Sequence, residues 1–244
     1  MSYGKQMVLK SRFDAQQNEK DQWLRARLDA LNFYRGRTRE YITPYFSRDT
    51  LAKVPVSNIN IVKRIIDRIS LCYMVDPARD VSYDGYADLT LSKGFRMQKL
   101  ERYVNLLEVV LIKPCLRGGV LDYDIVTDFE PSFGDDPMKP TSIEYPLATR
   151  SSVRDETPEI WAYWSESEHF LYDKNNSNKR VYNSENPKNI NPYGVLPFTA
   201  VFRDGMPETH YLDTDACSDM IQSNLFLNLV DTSRTANILF QSFG

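Results

Sequence analysis

Val109-Val110-Leu111-Ile112-Lys113-Pro114-Cys115-Leu116-Arg117-Gly118-Gly119-Val120-Leu121-Asp122-Tyr123-Asp124-Ile125 is where this sequence changes its period. Val109 to Cys115 is a short apolar, β-branched run. Leu121, Tyr123 and Ile125 then alternate with Asp122 and Asp124. Two strands joined by Gly118-Gly119 form a β-hairpin, because a two-residue turn with positive φ suits glycine and matches strand twist. This reading also disposes of Arg117-Gly118-Gly119 as a phosphate loop. Asp122 and Asp124 are expected on one solvent-facing side of the hairpin.

Upstream, the pattern is helical. Gln16 to Tyr34 lacks Gly and Pro, with Leu24, Leu28 and Leu31 in one stripe beside Trp23 and Tyr34, and Gly36 is placed to end the helix. Tyr41, Pro44, Tyr45 and Phe46 read as a loop. A second helix is capped by Asn58 or Asn60. Its apolar face is Val62, Ile65, Ile66, Ile69 and Tyr73, its polar face Lys63, Arg64, Asp67 and Arg68, and Pro77 stops it after Val75. A third runs from Phe95 to Glu108 on Met97, Leu100, Val104 and Leu107.

Downstream come short strand candidates at Ile143–Leu147, Ile160–Trp164, His169–Tyr172, Lys179–Tyr182 and Leu196–Phe202, separated by turn-rich segments. From about Thr214 the period is helical again. Met220, Leu227, Arg234 and Ile238 lie near one face, with Ile221, Leu225 and Leu229 beside it. The expected fold is α+β: N-terminal helices (1–108), a central antiparallel β meander (109–212) and a long C-terminal helix (213–244). The apolar end, Ala236 to Gly244, predicts either packing of that helix or its continuation in a longer protein.

Composition narrows the function classes. With 42% apolar, 26% charged and 12% aromatic residues, the 244-residue chain is of ordinary globular make-up. No apolar run approaches the length of a bilayer span. Cys72, Cys115 and Cys217 lack ligand or framework spacing; Cys72 and Cys115 are expected as buried thiols in a reducing compartment. His169 and His210 stand apart, and Asp135-Asp136 sits in a Gly/Pro turn, so no metal site is expected. Neither GxxxxGK[ST] nor GxGxxG, GxSxG or HExxH occurs. The expectation is no catalytic site and no cofactor, the alternative being a metal-dependent nucleic-acid-processing enzyme with a carboxylate site of unfamiliar spacing.

Charge is unevenly spread. Residues 1–70 carry 14 Lys and Arg against 7 Asp and Glu, whereas residues 71–244 carry 16 against 26. Arg35, Arg37 and Arg39 around Gly36, with Lys63, Arg64 and Arg68 on the second helix, are the candidate contact residues. They suit either the phosphates of a polyanion or the acidic body of a neighbouring subunit.

Four stretches, in order, resemble the portal proteins of tailed double-stranded DNA phages, in their N-terminal, wing-forming half. They are Leu31-Asn32-Phe33-Tyr34-Arg35-Gly36; Asn58-Ile59-Asn60-Ile61-Val62-Lys63-Arg64-Ile65-Ile66-Asp67-Arg68; the hairpin and acidic-Pro element from Leu121 to Pro131; and Asn191-Pro192-Tyr193-Gly194-Val195-Leu196-Pro197-Phe198 followed by a helix from Asp215 to Gly244. The resemblance implies a structural virion protein, about twelve copies closing into a ring at the capsid vertex. DNA passes through such a ring during packaging and ejection. Implied partners are other copies of the chain, the major capsid protein, a head–tail adaptor, double-stranded DNA without base specificity and, where a stem and clip follow, the terminase. Implied too are assembly in the host cytoplasm and no membrane. Another head–tail connector or neck protein is the neighbouring reading.

Overall fold

A computed structural model describes residues 3–74, 94–148, 159–176 and 179–243. The fold is α+β, with helices at both ends of the chain and antiparallel strands between. Two compact units form: Met1–Ala78 with Gly94–Glu108 and Thr214–Gly244, and Arg79–Lys93 with Val109–Asp213.

The first unit is helical: α1 (Tyr3–Tyr34), α2 (Arg39–Ile42), a 3-10 turn (Thr43–Tyr45), α3 (Arg48–Lys53), α4 (Ile61–Ile69), α5 (Gly94–Leu107) and α6 (Ser218–Phe243). The helix expected from Gln16 begins at Tyr3. Its buried face is Trp23, Arg27, Ala30 and Leu31, and Leu28 of the expected stripe is exposed. The rotation follows from Arg27, whose guanidinium donates to the Leu107 carbonyl at 3.1 Å and lies 4.4 Å from the Trp23 ring centre. A paired arginine over an indole is better placed inside than a leucine that can remain in water. The segment read as a loop at Tyr41–Phe46 is largely helical, because Thr38 starts a turn and Pro44 fits the first positions of a 3-10 helix.

α4 is shorter than expected and ends at Ile69; Val75 and Pro77 lie outside the described residues. Val62 and Ile66 are fully buried, whereas Ile65 and Ile69 are exposed. α5 follows its expected stripe, with Leu100, Val104 and Leu107 buried. It ends at Glu108, whose φ of 63° is costly for a side chain with a Cβ. The Glu108 carboxylate accepts from the Asp215 N–H at 2.7 Å, and Trp23 Nε1 donates to Thr214 Oγ1 at 2.8 Å. These bonds set where α6 starts.

The buried side of α6 overturns the apolar expectation. It is Ile221, Asn224, Asn228, Thr232 and Ala236, while Phe226, Val230, Ile238 and Phe240 are exposed. The extended chain before α4 explains this. Its Ser57, Ile59 and Ile61 N–H groups donate to Thr232 Oγ1 (2.9 Å), Asn228 Oδ1 (2.6 Å) and Asn224 Oδ1 (2.8 Å). Asn228 Nδ2 returns a bond to the Ile59 carbonyl at 3.0 Å. The spacings match: four residues of helix rise about 6.0 Å and two residues of strand span about 6.6 Å. One face of a helix thus does the work of a neighbouring strand.

The second unit holds two antiparallel sheets, ordered β2-β1-β8 and β3-β4-β5-β6-β7. The strands are β1 (Val109–Arg117), β2 (Val120–Val126), β3 (Glu130–Phe133), β4 (Pro140–Ala148), β5 (Ile160–Ser165), β6 (His169–Asp173), β7 (Lys179–Val181) and β8 (Thr199–Phe202). Gly118 and Gly119 have φ of 60° and 81°, and Arg117 faces Val120 across them. That is the mirror-image turn a two-residue hairpin needs. Asp122 does not face solvent as expected: its carboxylate is buried and paired with Arg117, which also holds Asp124. Nor are the thiols fully buried, for Cys72 is exposed and Cys115 half-buried. β3 was not legible as a strand, and β8 begins only at Thr199.

Asn191 fixes the connection from β7 to β8. Its amide donates to the Ser165 carbonyl at 2.7 Å and the Val195 carbonyl at 2.8 Å, and its Oδ1 accepts from the Tyr193 N–H at 3.0 Å. His169 stacks on Trp164 with centroids 3.6 Å apart, its Nδ1 lies 3.0 Å from the Tyr163 carbonyl, and burial pushes its pKa below the ordinary value.

Replacing Asn228 by Leu should destabilise the helical unit by about 1–2 kcal/mol, since the half-buried Ile59 N–H and C=O lose their partner. Phe226→Ala, on the opposite side of α6, should change stability by less than about 0.5 kcal/mol. Urea denaturation of the two variants side by side checks this; equal losses would remove the ladder from its structural role.

Candidate nucleic-acid interface

Two strictly local features bring the candidate cations to one corner of the helical unit. α1 ends in a Schellman arrangement: the Gly36 N–H donates to the Phe33 carbonyl at 3.0 Å and the Arg37 N–H to the Asn32 carbonyl at 2.8 Å. Gly36 has φ 73°, and a Cβ there would stand 3.5 Å from Asn60 Nδ2 and 3.7 Å from Asn58 Nδ2. α4 begins at Asn60, whose Oδ1 accepts from the Lys63 N–H at 2.8 Å.

The same asparagines join the two helix ends. Asn58 Nδ2 donates to the Gly36 carbonyl and Asn60 Nδ2 to the Tyr34 carbonyl, both at 3.1 Å. Thr38, fully buried, donates from its hydroxyl to Asn58 Oδ1 at 2.9 Å. The backbone carrying Arg35 and Arg37 is therefore tied to the backbone that starts α4. Arg39 opens α2 one residue beyond Thr38.

The six candidates differ once placed. Arg35, Arg37, Arg39, Arg64 and Arg68 are exposed and make no ion pair among the described residues. Lys63 is committed internally: its ammonium lies 2.6 Å from Asp67 Oδ2 and 4.9 Å from the Tyr34 ring centre. Arg68 sits in the last turn of α4, a full turn beyond Arg64. The corner thus gathers Arg35, Arg37, Arg39 and Arg64, with Lys63 bound into its base and Arg68 further along.

Beneath these lies a polar cluster that the sequence did not reveal. Tyr34 donates its hydroxyl to Asp67 at 2.7 Å, and Arg102 Nε of α5 lies 3.4 Å from the same carboxylate. Burial and then the Asp67 bond push the Tyr34 phenol far above its ordinary pKa. Burial alone would raise Asp67, but hydrogen bonds from Lys63 and Tyr34, with the charges of Lys63 and Arg102, hold it below its ordinary value of 3.8. The only sequence signal for this cluster was the Lys63/Asp67 spacing; the reach of Tyr34 and Arg102 is tertiary.

Other candidate chemistry is dispersed. No group of three or more His, Cys, Asp or Glu able to hold a metal occurs among the described residues. His210 uses Nδ1 to accept the Leu212 N–H at 3.0 Å and packs edge-on to Phe133. Among the described residues, no helix is long and apolar enough to cross a membrane. No family model matches this sequence, and no curated protein aligns with it significantly.

An arginine corner of this kind can bind phosphates by paired N–H donation, without reading bases. If the corner holds phosphates, exchanging Arg35, Arg37 and Arg39 for Glu weakens salt-sensitive retention of duplex DNA, each lost phosphate contact lowering the log–log salt slope by about 0.9. Folding should persist, since these side chains are exposed. If the triple variant retains DNA with an unchanged slope, the corner is not a phosphate contact.

The Asp67 cluster carries its own signature in acid. A carboxylate with a depressed folded-state pKa stabilises the fold above its unfolded value, here near 3.8, and that contribution is lost as pH falls through the lower folded value. Thermal melts from pH 6 to pH 2.5, values chosen to span about that window, should fall less steeply for Asp67→Asn than for the native protein. Parallel curves would show that the cluster has no part in acid unfolding.

Proposed function

We propose that the chain is a structural virion protein, a subunit of the ring-shaped portal through which a tailed phage packages and ejects double-stranded DNA and to which the neck and tail attach. The observation that carries this reading is the outward side of α6. Phe226, Val230, Ser233, Asn237 and Phe240 recur at four- and three-residue steps, and all are exposed, Phe226 by 67% and Val230 by 47%. The opposite side is held by the asparagine ladder, so the helix cannot roll to hide them. Three of the five, Phe226, Val230 and Phe240, are apolar, and exposed apolar side chains along one side of a helix are what it offers to another protein surface.

The residues behind the resemblance add support. Gly36, Asn58, Asn60 and Asn191 are each a joint of the fold: Asn58 ties to the Gly36 carbonyl, and Asn60 and Asn191 each make more than one side-chain-to-backbone bond. Positions of that kind persist when a scaffold is shared, because no other side chain reproduces their bonds. In this reading copies meet through unlike surfaces, whose rotation closes a ring. The arginine corner meets DNA electrostatically, the virion vertex is the location, and assembly precedes it in the host cytoplasm. The capsid protein, the adaptor and the terminase belong to the same proposal.

Mass photometry of the purified chain should show one large closed species, of about twelve copies. In the assembled particle, amide hydrogen exchange should be slow from Met220 to Leu239. A strict monomer at micromolar concentration in every salt condition would overturn the proposal, as would rapid exchange along α6 in an assembled ring.

A further inference from the structure

The β1–β2 hairpin runs past its own sheet. Val109–Ile112 pair with β8, but Lys113–Arg117 pair only with Val120–Asp124 among the described residues. The two faces of this projecting part are unlike. On one, Arg117 bridges Asp122 and Asp124, which stiffens the ribbon. On the other, Pro114 is exposed, and Leu116, 72% exposed, stands directly opposite Leu121, 37% exposed. A stiff ribbon ending in a bare leucine pair is a knob without a hole.

The helical unit offers an open surface depression that nothing fills among the described residues. A groove of about 790 Å³ runs beside α6, walled by Tyr45 and Phe46 on one side and by Leu229, Val230 and Ile238 on the other, with Arg234 among its polar lining residues. The charges of the two units are opposite as well. The helical unit has 18 Lys and Arg against 13 Asp and Glu, and the sheet unit 12 against 20.

We propose that the hairpin tip of one copy of this chain seats its Leu116–Leu121 pair in the α6 groove of the next copy. The inference rests on the ring reading and gives that ring its contact. Opposite net charges favour the approach of a sheet unit to the helical unit of another copy, and the apolar knob and groove hold it there. Because knob and groove are different surfaces, the contact is head-to-tail. It propagates around a ring and does not stop at a twofold pair.

The test uses the full chain in two forms, each altered at exposed positions: Leu116→Asp with Leu121→Asp at the tip, and Ile238→Asp in the groove. Circular dichroism melts confirm that each is folded, and the tip form stands by itself should Ile238→Asp unfold. Each form alone should need about tenfold or more higher concentration to assemble than the native chain. Mixed in equal amounts, the two should form one-to-one dimers, since the tip form keeps a groove and the groove form keeps a tip. Native assembly by a tip form that is fully folded overturns the inference and leaves the ring reading standing. A mixture that stays monomeric also overturns it, as does loss of assembly in the groove form while the tip form assembles as the native chain does, which would mean that α6 packs on α6. A native chain that never assembles removes the ring reading and this contact together.

Discussion

The segment from Ser57 to Asn60, leading into α4 at Ile61, has backbone groups to satisfy and no neighbouring strand. In this protein the partner is a helix. Thr232, Asn228 and Asn224, four residues apart, take the three N–H groups of alternate residues, and Asn228 also returns a bond to the Ile59 carbonyl. Much of the helical unit depends on this match. It fixes the line on which α4 begins, and so the position of Asn60 as its cap and of Asn58 and Asn60 as the ties to the end of α1. It also fixes the rotation of α6. A purely apolar contact would tolerate rotation of a helix by part of a turn; a row of directional bonds does not.

That choice has a cost. Asn224 Nδ2 is buried without a hydrogen-bond partner among the described residues, and Phe226, Val230, Ile238 and Phe240 of α6 face outward. A helix that merely had to stabilise an isolated domain would be turned the other way. The polar ladder gives up hydrophobic burial for orientation, and it leaves Phe226, Val230 and Phe240 for something else to cover. This is the physical basis of the assembly reading: the exposed stripe is a consequence of the internal hydrogen bonds.

The arginine corner follows from the same joints at shorter range. Gly36 reverses the chain at the end of α1, and Thr38 and Asn58 pin the reversal, so Arg35, Arg37 and Arg39 emerge near the first turn of α4. Within the sheet unit a comparable economy holds at the hairpin. Arg117 satisfies the buried Asp122 and the half-exposed Asp124 at once, which lets a two-stranded ribbon keep its shape beyond the reach of β8. Asn191 does the same for the loop ahead of β8.

The sequence alone settled what depends on neighbours a few residues away. The change of period at Val109, the Gly118-Gly119 turn, the Gly36 stop, an asparagine cap at Asn58 or Asn60 and the stripe of α5 are all local, and they carried the α+β class with them. The six cations could be picked out because charge is counted without a structure, but only the fold separates Arg35, Arg37, Arg39 and Arg64 from Lys63, which Asp67 holds, and from Arg68 a turn further on. What tertiary structure decided was orientation and partnership: that Arg27 is buried and Leu28 is not, that Asp122 is inside, that α6 presents Asn224 and Asn228 to the core and Phe226 and Phe240 to water. Periodicity ranks faces by apolar content, so it favours the wrong face whenever a helix is held by directional bonds to distant backbone. Only the fold brings Ser57 to Thr232 across 175 residues of chain, and that meeting has no trace in either segment read alone.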